Sequence, residues 1–472
     1  MDILKTIVDA GNELIWSNIL IVILIGVGLY FTIRSRFVQF RLFGEMFHVL
    51  AEKETMKGRK NSVSSLQAFF ISTASRVGTG NLAGVASAVS IGGPGAVFWM
   101  WVIALLGAAS GFVESTLAQI YKVRDGDDFR GGPAYYMQRA LNARWLGIIF
   151  AVLITFSFGL VFNSVQSNTI ALAFENSFDV NRWVLGAILT VATAIIIFGG
   201  VRRIAVVSQI IVPIMAGIYV IVAAFVLIVN FTEIPAMIAL IFQHAFGFKE
   251  VTGGGVGAAM LLGIKRGLFS NEAGMGSAPN AAATADVSHP VKQGLIQALG
   301  VFVDTLLIAT ATAFMILMSD GYVDSKLDGV QLTQEAMNQH LGSGAGIFVA
   351  VAVLLFAFSS IIGNYYYGET NIEFIKSSKT ALLIYRLAVL AMVMFGAKAG
   401  FGIVWGMADL SMGLMALLNL IVISIIGKVA FVALKDYRDQ RKAGKDPQFY
   451  ADTIKGLKSD IWTNKPVKDK SN

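Results

Sequence analysis

The sequence lacks cysteine entirely and has few histidines for its 472 residues. The absence of cysteine excludes disulfide bridges, thiolate nucleophiles and cysteine-ligated metals. The four histidines lie far apart in the chain, so they form no recognisable metal-binding or acid–base motif. The phosphate-binding pattern GxxxxGK[ST] is absent as well. These absences disfavour an enzyme and give no indication of a prosthetic group.

Charge is also scarce, because only 14% of the residues are charged and 56% are hydrophobic. An average soluble domain has about 25% charged residues. The net charge of +7 would suggest nucleic acid for a soluble protein, but here it is concentrated in the segments 34–62 and 428–472. Basic segments between apolar runs are typical of membrane anchoring. We therefore expect the lipid bilayer as the partner and no nucleic acid.

The apolar runs predict an all-α integral membrane protein with about eleven transmembrane helices. A span needs about 20 mostly apolar residues, and residues 15–33 carry no charge. The predicted spans are 15–33, 63–91, 94–121, 145–173, 182–199, 204–230, 253–285, 293–318, 344–368, 381–397 and 401–427.

The distribution of basic residues predicts the orientation of these spans. If the first span enters from outside, the cytoplasmic loops and the tail carry 28 Lys and Arg residues, against 5 on the opposite side. Cytoplasmic loops are enriched in Lys and Arg. We therefore predict a multi-pass protein of the cell membrane with its N-terminus outside and a basic cytoplasmic tail, 428–472.

Two spans are interrupted by glycine and polar residues, and they predict an internal repeat. One contains Gly78 and Gly80, and the other contains Gly274 and Gly276, 196 residues later. Five spans separate them, so the two units run in opposite directions. Inverted repeats with broken helices are typical of secondary transporters. The predicted organisation is an extra N-terminal helix and loop (1–62), a first five-helix repeat (63–230), an extracellular connection (231–252) and a second repeat (253–427).

The breaks indicate a cation site. Unwound backbone at membrane depth occurs only where it is buried in protein or lines a cavity. The carbonyl groups of Ala74 and Val77 are candidate cation ligands, and Thr79, Gly80 and Asn81 begin the outer half-helix. The alternative is a glycine-rich packing helix, which the matching second break disfavours. An antiparallel duplication also disfavours a channel, whose filter is symmetric about a pore.

Ionisable residues near the breaks predict buried ion pairs, since a lone charge in the bilayer is costly. Arg76 aligns with Glu272 in the internal repeat, and we expect a salt bridge between them. A second pair is expected among Lys265, Arg266 and Asp304. Such pairs either stabilise the bundle or take part in gating.

Three further polar features lie within the predicted spans. Glu114 is expected to reach the membrane interface. The hydroxyl groups of Ser359 and Ser360 either complete a cation shell or bond to their own helix. Asn163 and Gln166 share one helix face and serve either a ligand or helix association.

Several motifs together resemble the alanine/glycine:cation symporter family. The segment 92–107, GGPGAVFWMWVIALLG, is similar to the signature of that family. The segments 73–81 (TASRVGTGN), 269–274 (FSNEAG) and 363–369 (GNYYYGE) continue the similarity. The resemblance covers nearly the whole chain and implies a leucine-transporter-type fold of five plus five helices with one added N-terminal helix. It also implies symport of alanine, glycine or a related amino acid with Na⁺ as the coupling ion.

The resemblance also implies roles for individual residues. The cation would lie among Ala74, Val77, Ser359 and Ser360. Asn364 stands where some relatives have tryptophan, which leaves glutamine open as a substrate, and H⁺ remains an alternative coupling ion. The residues implied in substrate binding are Thr79, Gly80, Asn81, Gln166, Phe269, Ser270, Asn271 and Asn364.

Overall fold

The structure is almost entirely helical. The computed structural model describes residues 2–52, 63–126, 128–247, 255–320, 327 and 329–465. A short antiparallel hairpin, β1 (Val123–Asp125) and β2 (Asp128–Arg130), joins two of the helices. Helices satisfy their backbone hydrogen bonds internally, as an apolar environment requires.

The helices are numbered here in chain order. They are α1 (Ile3–Arg34), α2 (Phe43–Ala51), α3 (Ser65–Arg76), α4 (Gly80–Gly92), α5 (Gly95–Ile120), α6 (Pro133–Leu141), α7 (Arg144–Phe178), α8 (Arg182–Ile197), α9 (Gly200–Val229), α10 (Ile234–Ala245), α11 (Gly255–Asn271), α12 (Ala278–Thr284), α13 (Pro290–Leu317), α14 (Val330–Leu341), α15 (Ala345–Ile375), α16 (Lys379–Lys398), α17 (Phe401–Ile426) and α18 (Lys428–Lys442).

The prediction of an all-helical, multi-span membrane protein is confirmed. In the described part of the chain, eight helices are long and apolar enough to cross a membrane, namely α1, α5, α7, α9, α13, α15, α16 and α17. Helix α8 is apolar but has only 16 residues. The two interrupted spans each appear as a pair of shorter helices, α3 with α4 and α11 with α12.

Some predicted boundaries differ from the structure. Helix α1 starts at Ile3 instead of residue 15, because its polar first turns continue the same helix along α17. The expected connection 231–252 contains α10, whose Ile241 and Ala245 are buried. This 12-residue helix is too short to span a membrane, so hydropathy alone does not identify it. The predicted boundaries at 62, 252 and 253 and the last residues of the tail lie outside the described residues.

The packing brings the two broken helices together at the centre of the bundle. Helix α5 packs along α13, α11 and α1, and α7 packs along α15 and α16. Helix α3 contacts α9, α13 and α15. The halves of both broken helices are therefore enclosed by spanning helices.

Both interruptions have an irregular backbone. After α3, Val77 is extended, with φ −78° and ψ 91°. After α11, Glu272, Gly274 and Gly276 have φ values of 58°, 87° and 84°. Glycine adopts such angles without strain, whereas they are uncommon for other residues. The positive φ of Glu272 requires support from its surroundings.

The C-terminal segment is docked on one end of the bundle, which we call the tail side. The backbone N–H of Phe449 donates to the carbonyl of Ser288 at 2.9 Å. The indole N–H of Trp462 donates to the carbonyl of Gln119 at 3.2 Å. Lys292 pairs with Asp446 at 3.1 Å. The tail therefore contacts the ends of both α5 and α13.

His289 links this tail to the start of α13. Its Nδ1 accepts the N–H of Val291 at 3.2 Å, so the proton of the neutral imidazole lies on Nε2, 3.3 Å from Asp436 Oδ2. Burial lowers the pKa of His289 below its ordinary 6.5, although the bond to Asp436 acts in the opposite direction. The docked tail therefore favours neutral His289.

We predict that acid weakens docking of the tail. When the tail is released, His289 is no longer buried and gains a proton below pH 6.5, whereas the docked state disfavours that proton. The equilibrium constant for docking therefore decreases as the pH falls, by at most about tenfold for each pH unit. Amide hydrogen exchange over residues 446–463, corrected for intrinsic rates, should increase as the pH falls. His289→Asn should remove most of this pH dependence; an unchanged pH profile in that variant would contradict the assignment.

Candidate functional site: two facing helix breaks

The first break is held by amide side chains. The N–H of Gly78 donates to Asn81 Oδ1 at 3.0 Å, and the N–H of Thr79 donates to Gln166 Oε1 at 3.1 Å. Gln166 comes from α7, so that helix fixes the start of α4. The backbone N–H groups of Gly78 and Thr79 would otherwise lack a hydrogen-bond partner at the start of a helix.

Asp304 joins the first break to α11. The amide of Asn81 donates to Asp304 Oδ1 at 2.8 Å, and the hydroxyl of Ser270 donates to Oδ2 at 2.8 Å. The hydroxyl of Thr305 donates to the same Oδ2 at 2.8 Å, and Asn271 donates to Thr305 Oγ1 at 3.3 Å. Three helices, α4, α11 and α13, thus meet at this buried carboxylate.

The predicted ion pair between Asp304 and a basic residue of α11 is wrong. Arg266 and Lys265 instead pair with Asp409 on α17, at 2.8 and 3.7 Å. Trp16 of α1 donates to the carbonyl of Asp409 at 3.0 Å. The sequence separations did not show that Asp409 would face α11, because this depends on the packing of α17 against its neighbours.

Glu114 supports the second break and is not at the membrane interface, so that expectation is wrong. Its carboxylate accepts the N–H groups of Gly274 and Gly276 at 3.0 and 3.1 Å. Asn419 donates to the same carboxylate at 2.7 Å and to the carbonyl of Gly274 at 2.9 Å. The side chain of Glu114 is fully buried. The sequence did contain a signal for this role, because an isolated acidic residue within an otherwise apolar span usually faces the interior of the bundle.

The predicted Arg76–Glu272 salt bridge is not formed. Both residues are described and buried, yet no ion pair within 4.0 Å joins them. Arg76 donates to the carbonyl of Gln297 at 3.2 Å, and Glu272 accepts from Ser75 and Ser277 at 2.6 and 2.7 Å. The alignment of the repeats placed the residues in the same region, but their side chains have different partners.

The two adjacent serines of α15 face the end of α3. The hydroxyl groups of Ser360 and Ser359 lie 2.9 and 3.4 Å from the carbonyl oxygen of Ala74. Both also lie within hydrogen-bond distance of the carbonyl of Phe356 on their own helix. This cluster of hydroxyl and carbonyl oxygens is compatible with a hard monovalent cation. In the described part of the chain, no group of three or more His, Asp and Glu residues forms a metal site.

Aromatic rings lie beside the breaks. Phe269 of α11 contacts Phe162 of α7 and Trp405 of α17, with ring centroids 4.6 and 4.8 Å apart. The guanidinium of Arg266 lies 4.4 Å from the centroid of Trp405. These rings connect the site to the Arg266–Asp409 pair.

Close packing restricts the space between the breaks. A Cβ atom on Gly80 would lie 3.0 Å from the Cα of Ser270 and 3.1 Å from the ring of Phe269. Asn364 Oδ1 lies 2.7 Å from the hydroxyl of Ser75, and its Nδ2 has no partner among the described residues. The structure therefore gathers the predicted residues of α3, α4, α7, α11 and α15 around the two breaks.

Two broken, polar helices enclosed by apolar spans define the class of protein as a membrane transporter, not an enzyme. The chain belongs to the Sodium:alanine symporter family, whose profile matches residues 1–451. It is thus a membrane protein of a family that couples amino-acid transport to a cation.

Known proteins are similar over almost the full length. The chain is 62% identical over 459 residues to "Amino-acid carrier protein AlsT" of Bacillus subtilis, covering 97% of each protein. It is 58% identical over 468 residues to "Probable sodium/glutamine symporter GlnT" of the same organism, covering 99% of this chain and 97% of that one. A manganese transporter of Eremococcus coleocola has a TM-score of 0.49 at 13% identity, covering 84% and 91% of the two chains.

We predict that Glu114→Gln destabilises the second break. A glutamine presents an NH₂ group to at least one of the three donors that Glu114 accepts. Losing one bond to a charged acceptor costs about 1.5–3 kcal/mol. The unfolding temperature and the transport rate in proteoliposomes should both decrease. Glu175→Gln, at an exposed position of α7, is the control and should change neither. A normal Glu114→Gln protein would show that the carboxylate is dispensable.

Proposed function

We propose that the protein imports a small neutral amino acid, alanine or glycine, by symport with Na⁺. The observation that carries this proposal is the oxygen cluster of Ala74, Ser359 and Ser360 beside a break in a helix. The carbonyl of Val77, at the end of α3, is a further candidate ligand. Membership of the Sodium:alanine symporter family supports Na⁺ as the coupling ion.

We propose that the fold is two inverted five-helix repeats, preceded by α1. The first repeat would contain α3 with α4, α5, α7, α8 and α9, and the second α11 with α12, α13, α15, α16 and α17. The packing of α5 on α13, α7 on α15 and α8 on α16 supports this, because each pair occupies the same place in the two repeats. The leucine-transporter type follows from the family resemblance.

The same proposal sets the orientation. The tail side carries α18 and the basic loops, so it would face the cytoplasm, with the N-terminus outside and the cell membrane as the location. Residues 63–230 and 253–427 would form the transport unit, and the segment 428–472 would be the cytoplasmic tail. Arg76, Glu272 and Asp304 would act as structural or gating groups, each through its own hydrogen bonds.

The substrate is proposed to bind between the breaks. Its amino-acid group would contact Thr79, just before α4, and Gly80 and Asn81 of α4, together with residues of the other broken helix. The close approach of Gly80 to Ser270 and Phe269 favours a small side chain. The remaining contacts would come from Gln166, Phe269, Ser270 and Asn271.

Glutamine is the second candidate, with one observation in its favour. One atom of the Asn364 side-chain amide has no partner and is able to hydrogen-bond to the side-chain amide of a glutamine. The similarity to GlnT agrees with this alternative. H⁺ in place of Na⁺ is the alternative for the coupling ion.

We predict Na⁺-dependent, electrogenic uptake of alanine into proteoliposomes. A zwitterion that moves with one Na⁺ carries net charge, so 100 mV adds about 2.3 kcal/mol per charge to the driving force. Labelled alanine should be displaced by alanine and glycine more strongly than by glutamine. Uptake at full rate with choline in place of Na⁺ at matched pH would identify H⁺ as the coupling ion. Stronger displacement by glutamine than by alanine would identify glutamine as the substrate.

We also predict that Ser360→Ala raises the Na⁺ concentration needed for half-maximal uptake. The variant removes one oxygen close to the carbonyl of Ala74. Loss of one ligand interaction of about 1.4 kcal/mol corresponds to a tenfold change. Ser164→Ala removes a buried hydroxyl that bonds only within α7, so it serves as the matched control. Equal Na⁺ dependence in both variants would assign the α15 serines to helix packing.

A further inference from the structure

Buried polar side chains follow α13 from the tail side towards the first break. Gln293 and Gln297 are fully buried, yet both polar atoms of each side chain have no hydrogen-bond partner among the described residues. They lie one helical turn apart and therefore share one face of α13. Most buried side-chain polar atoms in proteins do have a partner, so two such glutamines in succession call for an explanation.

This face of α13 is directed towards α3. Gly300 lies on the same face, three residues after Gln297, and a Cβ atom there would clash with the guanidinium of Arg76. Arg76 uses one nitrogen to donate to the carbonyl of Gln297, while its Nε and Nη2 have no partner. Thr73, one turn earlier on α3, also has an unpartnered hydroxyl. The interface between α3 and α13 is thus polar on both sides.

The same set of side chains continues to the tail-side end. Asp286 lies between α12 and α13, and its backbone N–H donates to the carbonyl of Val63, just before α3, at 3.0 Å. The carboxylate of Asp286 is fully buried, and neither of its oxygens has a hydrogen-bond partner in the described part of the chain. Unpartnered groups therefore extend from the start of α3 to the break at its end.

The chemistry of these groups suits a zwitterion. The free Nε and Nη2 of Arg76 form a fork that matches a carboxylate. The amides of Gln293 and Gln297 bind donors and acceptors alike, and the carboxylate of Asp286 attracts an ammonium group. A lone metal cation would be repelled by Arg76 at the inner end.

We propose that the α3–α13 interface is a hydrated passage from the cytoplasm to the first break, through which the transported amino acid is released. The inference rests on the proposed function and its orientation, and it adds the route and the groups that line it. Arg76 receives the carboxylate of the amino acid as it leaves the break. Gln293 and Gln297 solvate it on the way to Asp286.

Because the chain has no cysteine, single cysteines report directly on this passage. The test variants are Gln293→Cys and Gln297→Cys, with Leu295→Cys as the matched control, which is equally buried on the same turn of α13. Each full-length variant is treated from the cytoplasmic side with a membrane-impermeant cationic methanethiosulfonate, with and without Na⁺ and alanine. Thermal unfolding at the temperature of the parent protein shows that each variant is folded, whatever its rate of alanine uptake.

The passage predicts that both test cysteines react, that the reaction stops alanine efflux, and that Leu295→Cys stays unmodified. Alanine at about ten times its half-saturating concentration, with Na⁺, should slow modification about tenfold, because about one binding site in eleven stays free. The proposal is overturned if neither test cysteine reacts in folded protein, if Leu295→Cys reacts equally fast, or if alanine gives no protection. Failure of the proposed function is a separate result, since the unmodified parent protein would then not accumulate alanine.

Discussion

The structure depends on satisfying the backbone of two helices that are broken inside an apolar bundle. Lipid offers no hydrogen bonds, so every N–H freed at a break needs a partner within the protein. Gln166 and Asn81 supply acceptors at the first break, and Glu114 supplies them at the second. The helices that carry these side chains must therefore stay in register with the breaks, which ties the packing of the bundle to the geometry of the site.

The two breaks are supported in a reciprocal way. Asp304 on α13 holds Asn81 of the first broken helix, while Glu114 on α5 holds the glycines of the second. In the proposed arrangement α5 and α13 occupy equivalent places in the two repeats, so each repeat supplies the acid that steadies the broken helix of the other. A movement of one repeat relative to the other would change both sets of bonds together.

Two groups of buried charged side chains lie close to the broken helices. Lys265 and Arg266 neutralise Asp409 next to the aromatic rings of Trp16 and Trp405. Nearer the breaks the acids outnumber the bases, because Glu114, Glu272 and Asp304 are accompanied by Arg76 without a direct ion pair. An excess of buried carboxylates is electrostatically suited to a site that takes up a cation. Removing such a charge from its hydrogen-bond partners would be costly.

Much of the architecture could be predicted from the sequence because the bilayer imposes simple rules. Long apolar runs predict spans. The glycine and polar residues around Gly78 and Gly274 predict the breaks, because two matching interruptions in the internal repeat disfavour ordinary glycine-rich packing helices. The proximity of Ser360 to the carbonyl of Ala74, which lies 2.9 Å from its hydroxyl, was implied by the family resemblance, because the residues alone equally allowed a bond within its own helix.

The partners of the charged side chains were decided only by tertiary structure. Sequence spacing shows which face of a helix a residue occupies, but not which helix lies opposite. Glu114 was expected at the interface and is buried against Gly274, and Arg76 was expected to meet Glu272 and instead donates to Gln297. A buried charge bonds to whichever donor the helix packing brings within about 3 Å. That choice depends on the rotation and tilt of whole helices, which no local pattern encodes.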